Sequence, residues 1–258
     1  MNEPQLERTL RQLRLSGLAQ SLGVRLQEAA ANQLSHGEFL ELLLNDEMQV
    51  RRDRVLERRV RAARFRKLKP LDVFEWSFNP DIPKRQIFEL ATGQFVREQR
   101  DVLFLGAQGL GKTHLAQAIA YEAIKQGHDV LYRSVFDLVA DLLADEASNR
   151  QDKVMGMYLK PELLVIDDMG LKSLPPRAGE HLVEVIVRRH EMRSTMMTSN
   201  RPLEDWGKLL QDVPAAAAIL DRFLERAHRV IFAGRSYRLK DVAMLQSPAA
   251  EKPPSTPA

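Results

Sequence analysis

The sequence predicts an α/β fold, a three-layer domain whose parallel sheet carries helices on both faces, preceded by a small all-helical module. Three observations predict it. The run Gly106-Ala107-Gln108-Gly109-Leu110-Gly111-Lys112-Thr113 fits a phosphate-cradling loop at every fixed position, with an apolar stretch at 102–105 directly before it. Helical stretches then alternate with short apolar segments at 130–132, 163–166, 195–198 and 230–232, the pattern of a parallel sheet. Before residue 70 leucines recur at helical rather than strand spacing.

Taken in order, Leu6, Leu10 and Leu13 follow Pro4 at helical spacing, and Gly17 reads as the stop of that helix. Leu18, Leu22, Leu26 and Ala29 predict a second helix. Ser35 followed by Glu38 reads as a capping box that opens a third through Phe39, Leu42 and Leu43, running on past Met48 into a basic stretch. Residues 1–69 are expected to form the helical module. Pro70, Pro80 and Pro83 then interrupt any helix, with Phe74, Trp76 and Phe78 at alternate positions between them, so the domain junction falls there and the α/β domain that carries the phosphate loop spans 70–246. After the phosphate loop Leu115, Ala118, Ile119 and Ala123 form a stripe ending at Gly127, and Ser134 with Asp137 caps the helix after the second strand. The proline-rich stretch 247–258 is expected to be disordered.

The loop implies chemistry. Glycines let successive backbone N–H groups converge on phosphate oxygens at a helix N-terminus. Lys112 would reach the outer phosphates, and Thr113 would place its hydroxyl on a bridging magnesium ion. The strand reading Leu163-Leu164-Val165-Ile166-Asp167-Asp168 delivers two carboxylates at the sheet edge where ligands bind. Asp167 is the expected magnesium partner through water, and Asp168 the residue that orients or activates the attacking water. The strand before Asn200 brings a polar amide to the same edge. Asp221-Arg222 follows an alanine-rich helix beginning at Ala215.

Composition bounds the rest. The 258 residues are 44% hydrophobic and include no cysteine, which excludes a disulfide framework and a cysteine-based zinc site. No apolar run long enough to span a bilayer and no leader is evident, so a cytoplasmic address with no membrane contact is expected. The net charge of +3 is uneven: residues 51–69 hold ten Lys or Arg against Asp53 and Glu57, a local +8 that leaves −5 elsewhere. If residues 46–67 are helical, Arg51, Arg54, Arg58 and Arg61 share one face and Arg52, Arg59 and Arg66 form a parallel row. Leu56, Val60 and Ala63 lie between them. With Arg64, Lys67 and Lys69 these cations predict contact with the phosphates of duplex DNA irrespective of sequence, since Phe65 is the one aromatic interleaved with them.

Together the motifs resemble the AAA+ P-loop ATPases, and within them the branch of the IstB-type transposition helpers and DnaC-type helicase loaders. The resemblance rests on Gly111-Lys112-Thr113-His114-Leu115-Ala116, Leu164-Val165-Ile166-Asp167-Asp168-Met169-Gly170, Thr198-Ser199-Asn200-Arg201-Pro202 and Gly234-Arg235-Ser236-Tyr237-Arg238. Trp206 and the basic helical module point to the IstB-type side. The resemblance implies ATP and Mg2+ as cofactors, with nucleotide contacts running from Gly106 through His114. It implies Asn200 as a sensor of the outer phosphate, Arg222 as an arginine finger inserted into a neighbouring subunit, and Arg238 as a second sensor. It further implies a homo-oligomer with ATP between subunits that assembles on duplex DNA, selects target DNA and stimulates a partner transposase. A helicase loader of the DnaC type, acting on single strands, is the alternative. Most AAA+ proteins carry Glu where Asp168 stands, which implies slow hydrolysis. The short stretch after Arg238 implies that a full C-terminal lid is absent.

Overall fold

The computed structural model describes residues 2–148 and 151–239. The chain divides into two compact units between Arg61 and Ala62. The stretch 247–258 and the lid region lie outside the described residues.

The first unit is helical. Helix α1 (Glu3–Gln12) is opened by Asn2, whose side chain accepts from the Gln5 amide while Gln5 reaches back to the Asn2 N–H. Helix α2 spans Ser16–Asn32 and α3 spans His36–Ala63. Leu18, Leu22 and Leu43 form the buried core, with Leu6, Leu10, Leu15 and Phe39 packed against it. The expected capping box is present: the Glu38 carboxylate accepts from the Ser35 amide at 2.7 Å, and the Ser35 hydroxyl accepts from the Glu38 amide at 3.3 Å.

Gly17 is not the stop of α1 but part of the first turn of α2. Its amide donates to the buried Glu47 carboxylate at 2.6 Å, the Leu18 amide does so at 3.2 Å, and a Cβ on Gly17 would lie 2.7 Å from the Glu47 Cα. Glycine is there because α3 crosses too closely for a side chain. Glu47 in turn caps a helix start that has no capping side chain of its own.

The second unit holds α4 (Lys84–Ala91), α5 (Gln94–Arg97), β1 (Val102–Gly106), α6 (Lys112–Lys125), β2 (Val130–Ser134), α7 (Val135–Ser148) and α8 (Gln151–Leu159). It continues through β3 (Leu163–Met169), α9 (Ala178–Arg189), β4 (Ser194–Ser199), α10 (Trp206–Leu210), α11 (Val213–Glu225) and β5 (His228–Phe232). All five predicted strands are present among the described residues and form one parallel sheet in the order β2-β3-β4-β1-β5. Leu103, Leu131, Leu164, Ile166 and Met197 pack with α7, α9, α10 and α11 on one face. The alternate residues Val102, Phe104, Tyr132, Val165 and Met196 are buried too, and α6 packs on the sheet with α4. Near-continuous apolar strands follow from cover on both faces.

The strand order positions the site. β4 lies between β1 and β3, and Ser199 at its end pairs with both Leu105 and Met169, so Asn200 emerges between the loop after β1 and the acids of β3. The register of β3 against β4 breaks between Ile166 and Met169, where Asp168 takes a left-handed backbone with φ 67°. Such a bulge re-aims the side chains it carries. The Ser134 hydroxyl caps α7 as expected, accepting from the Asp137 amide at 3.1 Å. Arg222 lies within α11 rather than after it.

The junction differs from the sequence expectation. Helix α3 ends at Ala63, because Arg64 adopts a left-handed φ of 59°, and residues 62–69 belong with the second unit instead of the helical module. Arg66 therefore does not continue the row of Arg52 and Arg59. Arg51, Arg54, Arg58 and Arg61 are all exposed on α3, with Arg51 paired to Glu47 at 2.7 Å and Arg61 to Glu57 at 3.4 Å. Among the described residues no helix is long and apolar enough to cross a membrane.

Candidate nucleotide site

The loop from Gly106 to Thr113 wraps the N-terminus of α6 and is shaped by three glycines with positive φ: 151° at Gly106, 79° at Gly109 and 93° at Gly111. Side chains are excluded for steric reasons as well. A Cβ on Gly106 would strike the Phe232 carbonyl, one on Gly109 the Ser236 hydroxyl, and one on Gly111 would sit 2.7 Å from the Phe74 ring. The loop is thus enclosed by the segment after β5 on one side and by the aromatic segment before α4 on the other.

Lys112 is buried, and its ammonium donates to the carbonyls of Gly106 at 2.6 Å and Ala107 at 2.7 Å. Burial pushes its pKa down to about 8, with Arg238 acting in the same direction and Asp167 opposing. A lysine that folds onto its own loop carbonyls is held where phosphate oxygens can replace them as acceptors.

Asp167 is fully buried at the C-terminal end of β3. Its carboxylate accepts from the Thr113 hydroxyl at 3.1 Å, from the Tyr132 hydroxyl at 2.5 Å and from the Thr198 hydroxyl. Strands β2, β3 and β4 and the start of α6 each contribute one group, so the orientation of Asp167 is over-determined. Thr113 and Asp167 are hard oxygen donors close together at the loop, which fits magnesium, an ion that keeps water and phosphate oxygens in its remaining positions. Asp168 is half-buried. Its amide donates to the Thr198 hydroxyl at 3.2 Å, and burial together with the neighbouring Asp167 holds its carboxyl above the ordinary carboxylate range.

A cavity of about 880 Å³ joins these groups. Gln108, Gly109, Leu110, Gly111, Lys112, Thr113, His114, Asp167, Asp168, Asn200 and Arg238 all line it, whereas Gly106 and Ala107, also predicted to contact nucleotide, are not among the lining residues and meet Lys112 through their carbonyls. The Asn200 side-chain oxygen is buried there with no hydrogen-bond partner among the described residues, as a group awaiting a donor such as water or ligand would be. His114 Nε2 donates across 3.1 Å to the Pro70 carbonyl, and the ring meets Phe74 edge-on. Val73, Phe74, Phe78 and Tyr237 add an apolar wall that suits a base.

Of the other predicted residues, the expected arginine finger lies away from the cavity and three of the basic residues line it. Arg222 does not line the cavity of its own chain; its half-exposed guanidinium pairs with Asp221 at 2.8 Å. Arg66, expected among the DNA-contacting cations, instead lines the cavity, with Lys67 and Lys69. Its guanidinium lies 3.2 Å from Asp168 and 3.5 Å from Asp137, brought there by the turn at Arg64. Sequence reasoning missed Tyr132 and Thr198, which supply two of the three hydroxyls on Asp167. A phenol at the end of the apolar segment 130–132, needing a partner once buried, was the available signal for Tyr132.

The chain is similar to known proteins. The family model described as IstB-like ATP binding protein matches residues 8–244. A relative described as an ATP-binding protein of insertion sequence IS5376, from Geobacillus stearothermophilus, is 34% identical over 231 residues, covering 89% of this chain and 91% of its own length. Another, of insertion sequence IS232 from Bacillus thuringiensis subsp. berliner, is 35% identical over 237 residues, covering 92% of this chain and 95% of that one. Among solved structures, AMPPCP-bound DnaA from Aquifex aeolicus superposes with a TM-score of 0.54 at 19% identity, over 73% of this chain and 58% of that chain. The crystal structure of DnaI does so at 0.51 with 24% identity, over 68% and 92%. Both likenesses concern the α/β P-loop fold of the AAA+ class. With the family model matching residues 8–244 and the relatives aligned over about nine-tenths of both chains, this protein belongs to the IstB-like ATP-binding family.

Proposed function

We propose that the protein is a magnesium-dependent ATPase that oligomerises on duplex DNA, selects target sites and stimulates a partner transposase, acting in the cytoplasm. The convergence of Lys112, Thr113, Asp167, Asp168 and Asn200 on one cavity carries the reading. Lys112 and the loop amides hold the outer phosphates. Thr113 and Asp167 hold the metal ion, which supplies charge neutralisation for the developing transition state when bound. Asp168 orients the attacking water and takes its proton. Asn200 presents its amide to the outer phosphate, and Arg238 approaches the nucleotide from the segment after β5.

Arg222 of an adjacent copy completes the site as an arginine finger, so turnover follows assembly. Its exposure and its distance from its own cavity support a role in trans. The exposed arginines of α3, Arg51, Arg52, Arg54, Arg58 and Arg61, with Arg59 and Arg64 beside them, supply phosphate contacts whose strength falls steeply with salt. The relatives' association with insertion sequences supports the transposase partner.

The experiment is ATP-dependent binding to duplex and single-stranded DNA of equal length, with size determination. Tighter binding to duplex, together with ATP-dependent growth in mass, is the expected result. A clear preference for single strands with capture of a hexameric helicase would replace this reading with a helicase loader.

A further inference from the structure

We infer that Arg66 is a positioning residue for Asp168, holding the carboxylate that activates water; the inference rests on the proposed reading of the acid pair. Helix α3 stops at Ala63, and Arg64 turns the chain through a left-handed φ of 59°. Phe65 then lies tilted against Tyr132 with ring centres 5.9 Å apart, and Tyr132 donates to Asp167 at 2.5 Å. The next residue, Arg66, sets Nη1 3.2 Å from Asp168 Oδ2 and Nη2 3.5 Å from Asp137 Oδ2. Two successive residues of one strap thus reach the two successive acids at the end of β3, Phe65 through a tyrosine and Arg66 directly.

The two prongs differ in what they grip. Asp137 is fixed at the start of α7 by Ser134, whose hydroxyl donates to its carboxylate at 2.7 Å and accepts from its amide at 3.1 Å. Asp168 sits in the β-bulge on a left-handed backbone, where register alone does not set the direction of its side chain. It is also one methylene shorter than a glutamate, so a small rotation carries its oxygens away from an attacking water. A planar guanidinium that spans both carboxylates transmits the fixed position of Asp137 to Asp168. Lysine, a single point charge, cannot span the pair.

This role separates Arg66 from the rest of the basic run. Arg51 and Arg61 pair with Glu47 and Glu57 of their own helix, four residues away, whereas Arg66 pairs with residues 71 and 102 positions along the chain in the wall of the cavity.

The test is ATP turnover by the full-length protein with duplex DNA present, comparing Arg66→Ala, Arg66→Lys, Asp168→Asn and the double variant Arg66→Ala/Asp168→Asn. Arg66→Ala is expected to lower kcat about tenfold or more while KM for ATP stays within about threefold, the split that marks loss of an interaction made in turnover rather than in binding. Arg66→Lys is expected to recover only part of the loss, and Arg66→Ala to add nothing in the Asp168→Asn background. Wild-type kcat in Arg66→Ala overturns the inference, as do full recovery by lysine or independent, multiplying losses in the double variant. So does a drop of about one in the salt slope of DNA binding with turnover intact, which makes Arg66 a phosphate contact instead. If Asp168→Asn itself hydrolyses ATP at the wild-type rate, the reading of the acid pair fails; if it is inactive while Arg66→Ala is not, the assignment of Arg66 alone fails.

Discussion

The hydroxyl of Tyr132 on β2 donates to Asp167 on β3 at 2.5 Å, and the phenol is buried with its pKa held far above the ordinary tyrosine value by burial and by that carboxylate. The bond fixes which oxygen of Asp167 faces Thr113. Tyr132→Phe is therefore expected to leave the fold intact and to raise the magnesium concentration needed for half-maximal ATP turnover by about tenfold, the usual effect of removing a group that orients a metal ligand. A magnesium titration of turnover checks it, and an unchanged midpoint would show that the two threonines suffice.

Lys112→Ala removes the cation that the loop carbonyls of Gly106 and Ala107 hold in readiness. ATP affinity is expected to fall by about two orders of magnitude, with loss of ATP-driven assembly, since a buried charge-assisted contact to phosphate is worth on the order of 3 kcal/mol. Equilibrium binding of a fluorescent ATP analogue and sedimentation with ATP report the two effects separately.

Gly106→Ala acts on the fold rather than on phosphate alone. The new methyl would meet the Phe232 carbonyl and lie 2.8 Å from the Phe232 Cβ, so β5 must shift away from β1. Stability is expected to drop by about 2 kcal/mol or more, read as a lower denaturation midpoint without nucleotide. A midpoint equal to wild type would mean that the edge strand yields at little cost.

Asp101 is buried between the end of α5 and β1, where its carboxylate accepts from the Thr195 amide at 2.6 Å and the buried Arg189 donates to the Thr195 hydroxyl at 3.0 Å. Burial pushes its pKa up to about 7, against the effect of the Thr195 amide and of Arg189. The folded state therefore carries more protons than the unfolded state between about 3.8 and about 7, and the group's contribution to stability falls as pH rises through that window. Asp101→Asn is expected to flatten the decline, so that the difference in Tm between about pH 5 and about pH 8 shrinks relative to wild type.

Arg222→Ala is expected to bind ATP normally and to lack turnover if, as proposed, its guanidinium serves the next copy. Mixing it with Asp168→Asn protein tests the shared site directly: each variant supplies what the other lacks, and activity should return to roughly a quarter of wild type at equal ratios if pairing is random. Mixtures that stay inactive would count against a site completed between chains.

The sheet, the loop and the acid pair were all legible in the sequence, because each rests on local chemistry. Glycines at 106, 109 and 111 announce backbone that no side chain tolerates, apolar segments before them announce buried strands, and Ser35 with Glu38 or Ser134 with Asp137 announce helix starts from four adjacent residues. What chain order could not disclose is who meets whom across the fold. Gly17 looks like a helix stop until α3 is seen crossing it, and Arg66 looks like one more cation of a basic helix until a single left-handed residue at Arg64 carries it to Asp168. Tyr132 and Thr198 join Asp167 only because β2 and β4 flank β3. Short-range propensity sets the elements, whereas long-range packing sets their neighbours, and the partners of a buried carboxylate belong to the second kind of information.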